Sequence, residues 1–191
     1  MKTQKMSTQS LVLCAIMTAL VIILQFMGAF IKLGTFSISL VLVPIVIGAA
    51  ICGVGAGAWL GFVFGIVVLL SGDAAAFLAV SVPGTIITVL AKGTVCGLLA
   101  GLTYKLLAKY NTFAAVVAAA CICPIVNTGV FLIGCLIFFM DTVAMWAEGA
   151  GLSGDVGRYM ILVLVGANFL FELLFNIVLS PVIVRLLKVR I

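Results

Sequence analysis

The sequence predicts an all-α membrane protein with six transmembrane helices and both termini cytoplasmic, in a single domain over residues 1–191. Three observations predict it. Of the 191 residues 66% are hydrophobic and only 8% charged, against roughly a quarter charged in soluble domains. Long apolar stretches recur along the chain, and each helical crossing needs about 20 such residues. The basic residues collect at alternate connections, which is the asymmetry that orients helices in a bilayer.

The elements follow in order. Met1 to Ser10 is polar and carries Lys2 and Lys5. A first span is expected from Leu11 to Phe30, then a connection Ile31 to Phe36 with Lys32 and Gly34. The second span covers Ser37 to Cys52, and Gly53, Gly55 and Gly57 make a tight turn. The third runs from Ala58 to Leu70, and Ser71, Gly72 and Asp73 open a loop. Pro83 suits the first turn of a fourth helix, where its missing N–H costs little; that helix reaches Leu107. The fifth span, Phe113 to Met140, contains Pro124, which predicts a kink. Asp141 to Gly157 is the longest loop, and the sixth span runs from Arg158 to Leu187.

With six spans, Lys2, Lys5, Lys105, Lys109, Arg185, Lys188 and Arg190 share the side of the termini. The other side holds Lys32 and Arg158, with Asp73, Asp141, Glu148 and Asp155. That asymmetry predicts cytoplasmic termini.

Several functions are excluded or disfavoured. The net charge of +5 comes from scattered residues at span edges rather than a basic run, so no nucleic-acid partner is expected. There is no histidine, which excludes a Cys/His zinc site and a histidine relay. Six cysteines lie in apolar stretches and read as small buried residues. No small-residue cleavage pattern follows the first span, so no cleavable signal peptide is expected. No metal site, cofactor, nucleophile elbow or ATP-binding motif is expected, and the protein reads as a non-enzyme.

Small residues recur at spacings of four: Gly57, Gly61 and Gly65; Gly97 and Gly101; Ala15 and Ala19. Such stripes let helix backbones approach closely in lipid. Packing within the monomer is the plainer explanation, and a stripe facing a partner is the alternative.

Two ionisable side chains fall deep in spans, Lys92 and Glu172. Charges there are costly and mark function or pairing. At about 1.5 Å per residue, Lys92 lies ~14 Å in from Pro83 and Asn168 ~15 Å in from Arg158. Glu172 and Asn127 lie deeper, at ~21 Å from their span ends. Asn168, Glu172 and Asn176 form one stripe on the sixth helix. Thr85, Thr88 and Thr128 add hydroxyls. One possibility is a structural Lys92–Glu172 ion pair. The other is a pocket open to the outside in which Lys92 meets a carboxylate or phosphate and the amides fix the ligand. Trp146 and Tyr159 are expected as interfacial anchors.

The residues also carry a family resemblance. Ala15-x-x-x-Ala19 on the first helix, Phe36 to Gly48 followed by Gly57 to Gly65, and Leu174 to Pro181 followed by Arg185 together resemble the substrate-binding S-components of energy-coupling factor (ECF) transporters, and the pantothenate-type branch most. The resemblance implies a high-affinity vitamin-binding subunit in a bacterial plasma membrane. It would deliver its cargo through a transmembrane coupling protein and two ATPases, docking by Ala15 and Ala19. Its pocket would be closed by the loops after helices one, three and five. An anionic B-type vitamin is expected, pantothenate first, with riboflavin, folate or another vitamin or precursor also open. The expected binding residues are Lys92, Asn127, Asn168, Glu172, Thr88 and Lys32. The competing class is a self-sufficient secondary carrier or channel for a small metabolite, disfavoured by the absence of visible repeats and relay residues.

Overall fold

A computed structural model describes residues 8–29, 32–33, 36–37, 40–152 and 154–190. The first helix, α1, spans Thr8–Ala29 and is followed by two short antiparallel strands, β1 (Lys32–Leu33) and β2 (Phe36–Ser37), pairing Lys32 with Ser37 and Leu33 with Phe36. Helices α2 (Leu42–Cys52) and α3 (Val54–Leu70) follow, then the single turn α4 (Ala75–Leu78), α5 (Val82–Leu107) and α6 (Thr112–Phe138). The chain continues through α7 (Met140–Gly149), the short α8 (Val156–Arg158), a π-helical stretch Tyr159–Leu164, and α9 (Gly166–Arg190).

Local chemistry sets the boundaries. Gly53 alone separates α2 from α3 at φ +97°, a conformation that costs glycine little because it has no Cβ. Ser81 caps α5 by accepting from the Gly84 amide at 3.3 Å, beside Pro83. Asn111 caps α6 by accepting from the Ala114 amide at 3.1 Å. Helix α6 runs unbroken through Pro124.

One expectation is met in part and one changes. Four described helices are long and apolar enough to cross a membrane: α1, α5, α6 and α9. The second and third expected crossings are helices of 11 and 17 residues, about 16 and 25 Å long, against a hydrocarbon core of about 30 Å. The expected loop from Asp141 to Gly157 contains the ten-residue helix α7, whose register starts anew after Phe139.

Neighbouring helices alternate in direction. Cys52 bonds back to the Ser10 carbonyl, closing α1 on α2. Cβ positions built at Gly57, Gly61 and Gly65 of α3 would strike the carbonyls of Gly97, Gly93 and Val89 of α5, in falling order. Gly84 and Gly134 meet Phe138 and Thr88, which sets α5 against α6 in the same antiparallel sense. The glycine stripes of α3 and α5 therefore serve packing within the monomer. Ala15 and Ala19 instead lie on the exposed face of α1.

Two apolar clusters result. The larger joins α1, α2, α3, α5, α6 and the later part of α9, around Leu42, Leu60, Cys96, Cys123 and Ile183. The smaller forms a cap from Phe77, Phe139, Val143, Ala147, Tyr159 and Leu164. Trp146 and Tyr159, expected as membrane anchors, pack in that cap: Tyr159 is buried, and the Trp146 ring meets Phe77 edge-on at 5.4 Å. Cys96, Cys123 and Cys135 are buried as expected, while Cys14, Cys52 and Cys121 are only partly so.

Candidate functional site

Between the cap and the larger core lies a cavity of ≈ 100 Å³, several times the ~10–15 Å³ that one water requires. It is built where α1 and α3 end, α5 begins, α6 ends and α9 begins. Helix α1 contributes Gln25; α3 contributes Phe64 and Val68; the following turn contributes Asp73. Thr85, Thr88 and Lys92 come from α5, one helical turn apart or nearly so, which puts them on one face. Asn127, Thr128 and Phe131 come from α6, and Asn168, Phe169 and Glu172 from α9.

The polar groups are arranged unevenly. The Lys92 ammonium lies 5.6 Å from the Phe64 ring centroid and 5.3 Å from that of Phe131, within cation–π range. Glu172 and Asp73 are the two carboxylates that share this lining. Gln25 Nε2 donates to Asp73 Oδ2 at 2.5 Å, which ties α1 to the turn after α3. Thr85 spends its hydroxyl on the Ser81 carbonyl at 2.7 Å. Three buried oxygens in the lining have no hydrogen-bond partner: Thr88 Oγ1, Asn127 Oδ1 and Asn168 Oδ1. Buried polar atoms are normally satisfied, so these three mark a place for a polar ligand or water.

Of the residues expected from the sequence, Lys92, Asn127, Asn168, Glu172 and Thr88 meet at this cavity. Lys32 lies in β1, with its side chain outside the described residues. Asn176, though on the same stripe as Glu172, is absent from the lining: its Nδ2 donates to the Glu172 carbonyl at 2.8 Å. Sequence reasoning passed over Gln25 and Asp73. Gln25 was legible as a lone amide in an apolar span. Asp73 reads as an ordinary loop acid until the fold turns it inward. The phenylalanines Phe64, Phe77, Phe131, Phe139 and Phe169 were indistinguishable from lipid-facing residues.

No group of three metal-ligating side chains exists among the described residues. A half-buried lysine, orphaned acceptors and aromatic walls make a cavity suited to holding a small molecule. A family model described as "ECF transporter, substrate-specific component" matches residues 9–184. The chain belongs to that family. It is thus a substrate-specific subunit of an ECF transporter, a multi-pass membrane protein and a transporter component rather than a member of an enzyme family. Neither a curated protein nor a solved structure matches the chain. For an ECF substrate-specific component, a ligand-sized hollow lined by five of the residues singled out for binding is where cargo recognition belongs.

Proposed function

We propose that this S-component is the high-affinity binding subunit for a small B-type vitamin or vitamin precursor, held in the cavity by Lys92, Thr88, Asn127, Asn168 and Glu172. The observation that carries this is the set of three orphaned oxygens, on Thr88, Asn127 and Asn168, from three different helices and one cavity. Each leaves a desolvated acceptor costing about 1–3 kcal/mol unless something fills it. Pantothenate, the first candidate from the resemblance, would set its carboxylate toward Lys92; an aromatic vitamin would use the phenylalanine walls.

The whole chain acts as one binding domain, passing six times through a bacterial plasma membrane with both termini cytoplasmic. The short α2 and α3 form an apolar hairpin accommodated by local thinning of the bilayer. Delivery depends on a coupling protein and two ATPases, of which the coupling protein meets the exposed Ala15–Ala19 face of α1. Lys32, just past α1, is the sixth residue we assign to binding.

The test is native mass spectrometry of the purified full chain, followed by ligand release and identification. One vitamin-class molecule per chain is expected, with Asn127→Leu retaining at least tenfold less. Recovery of no small molecule, together with uptake by vesicles holding this chain alone, would overturn the proposal in favour of a self-sufficient carrier.

A further inference from the structure

We propose, resting on that binding function, that Gln25 is a further cargo-binding residue and sets a requirement on the cargo: an N–H or O–H group that donates to its side-chain oxygen. Gln25 interrupts an apolar helix. From Ala19 to Leu24, α1 carries only apolar side chains. Val21 and Gln25, one turn apart, are 0% and 3% exposed, so both face into the bundle. A buried amide costs free energy unless its polar atoms are bonded, and a position that served packing alone would take leucine or methionine without that cost.

The contact with Asp73 fixes which way round the amide stands. Carboxylate oxygens accept, and only the NH2 end of an amide donates, so Nε2 is the end held at Asp73 Oδ2. That orientation holds whatever else Asp73 touches. Oε1 is then the end turned from Asp73. Among the described residues none donates to it, and the side chain borders the cavity. Thr88 and Asn127, both more than nine-tenths buried, and Asn168 line the same hollow with oxygens that lack a partner. Gln25 differs from the two asparagines in one respect. No described hydrogen bond holds the Asn127 or Asn168 amide, so either can turn its nitrogen to a ligand instead. Gln25 cannot do so without giving up Asp73. It therefore selects for a donor, while the asparagines adapt to either kind of group.

Isothermal titration of the full chain in detergent, stripped of bound small molecules, tests this with pantothenate, riboflavin, thiamine and biotin. All four carry N–H or O–H donors, and the one that binds the parent most tightly is carried to the variants. Gln25→Leu should weaken it at least tenfold; Gln25→Met, close to the same volume, takes its place if the leucine variant does not fold. Gln25→Glu keeps an accepting oxygen at the Oε1 position but sets a second carboxyl against Asp73. It should bind at least threefold more tightly than Gln25→Leu. A side chain that only tied α1 to the turn would rank those two variants the other way. Affinity of Gln25→Leu within threefold of the parent, or weaker binding by Gln25→Glu than by Gln25→Leu, overturns this inference and leaves the vitamin-binding function standing. Binding of none of the four by the parent overturns both.

Discussion

Replacing Gly61 by alanine tests the packing that builds the cavity wall. A Cβ there would fall on the carbonyl oxygen of Gly93 and lie 3.3 Å from Thr94 Cα. The neighbouring contacts are equally closed: a Cβ at Gly57 would lie 2.5 Å from Gly97 O, and one at Gly65 2.9 Å from Val89 O. Backbone atoms cannot swing aside as a side chain can. Ordinary contact needs about 3.5–4 Å, so α3 and α5 would have to part by on the order of 1 Å, forfeiting roughly a quarter to a half of the dispersion energy at each opened contact. Overpacking of this kind costs about 1–3 kcal/mol, and removing a glycine from a helix returns roughly 0.5–1 of it. A net loss of ~1–2 kcal/mol is expected, a fall of several degrees in thermal unfolding at about 2–4 °C per kcal/mol. Gly55 is the internal control: it lies in the same helix, and a Cβ there meets nothing within 4 Å, so Gly55→Ala should melt at or above the parent. Ligand affinity should fall with Gly61→Ala as well, since Phe64 rides on α3 and Lys92 on α5. A Gly61→Ala protein that melts at or above the parent would refute the backbone-on-backbone reading of the interface.

Three further outcomes are expected. Lys92→Met should lower the melting temperature, because the cavity that Glu172 and Asp73 also line loses its lysine; adding Glu172→Gln should recover part of that loss, and a thermal double-mutant cycle measures the coupling. Phe77→Ala should cost about 3–5 kcal/mol, since the ring is buried and meets Phe131, Phe139 and Trp146 at 5.4, 5.0 and 5.4 Å; stopped-flow release of bound ligand should be faster as the cap loosens. Ala15→Leu with Ala19→Leu should leave ligand affinity and melting unchanged, because both residues are exposed, yet abolish ATP-driven uptake when the full transporter is reconstituted.

The membrane class was legible from composition alone, because no polar surface exists to cover a soluble core. The cavity was half legible. Lys92 and Glu172 announced themselves, since a charge in an apolar span needs a reason, and the amides Asn127 and Asn168 could be brought to a similar level by helix rise. Asp73 could not: it joins the lining from the short segment between α3 and α4, which no periodicity encodes. The stripe on α9 was legible as facing protein or a cavity, but not where along it one gives way to the other. Spacing by four puts Asn168, Glu172 and Asn176 on one face, but a face can pass from a cavity into a packed core along its length. The anchoring of Trp146 and Tyr159 in the cap was hidden for a similar reason. An aromatic beside a loop looks the same whether it meets lipid headgroups or, like Trp146, the edge of Phe77.

Where the α9 stripe changes character locates the floor of the cavity, and the floor bears on transport. Glu172 still lines the hollow. One turn further on, Asn176 is 1% exposed and donates to the Glu172 carbonyl, and Ser180, fully buried, donates to the Asn176 carbonyl at 2.9 Å. The Asn176 amide nitrogen and the Ser180 hydroxyl are spent on the helix's own backbone, Asn176 Oδ1 is left without a partner, and Ile183, Val184 and Leu187 then join the apolar core. Between α3 and α5, Gly57 and Gly61 bring backbone close against Gly97 and Gly93. Along α9 the cavity lining thus gives way to packed core. Opening that part of the bundle would mean prising apart contacts in which two main chains touch, and no histidine or ladder of acids supplies a proton gradient to drive it. The geometry favours work done on this subunit from outside over a gate within it, consistent with membership in a family of transporter components whose energy comes from elsewhere.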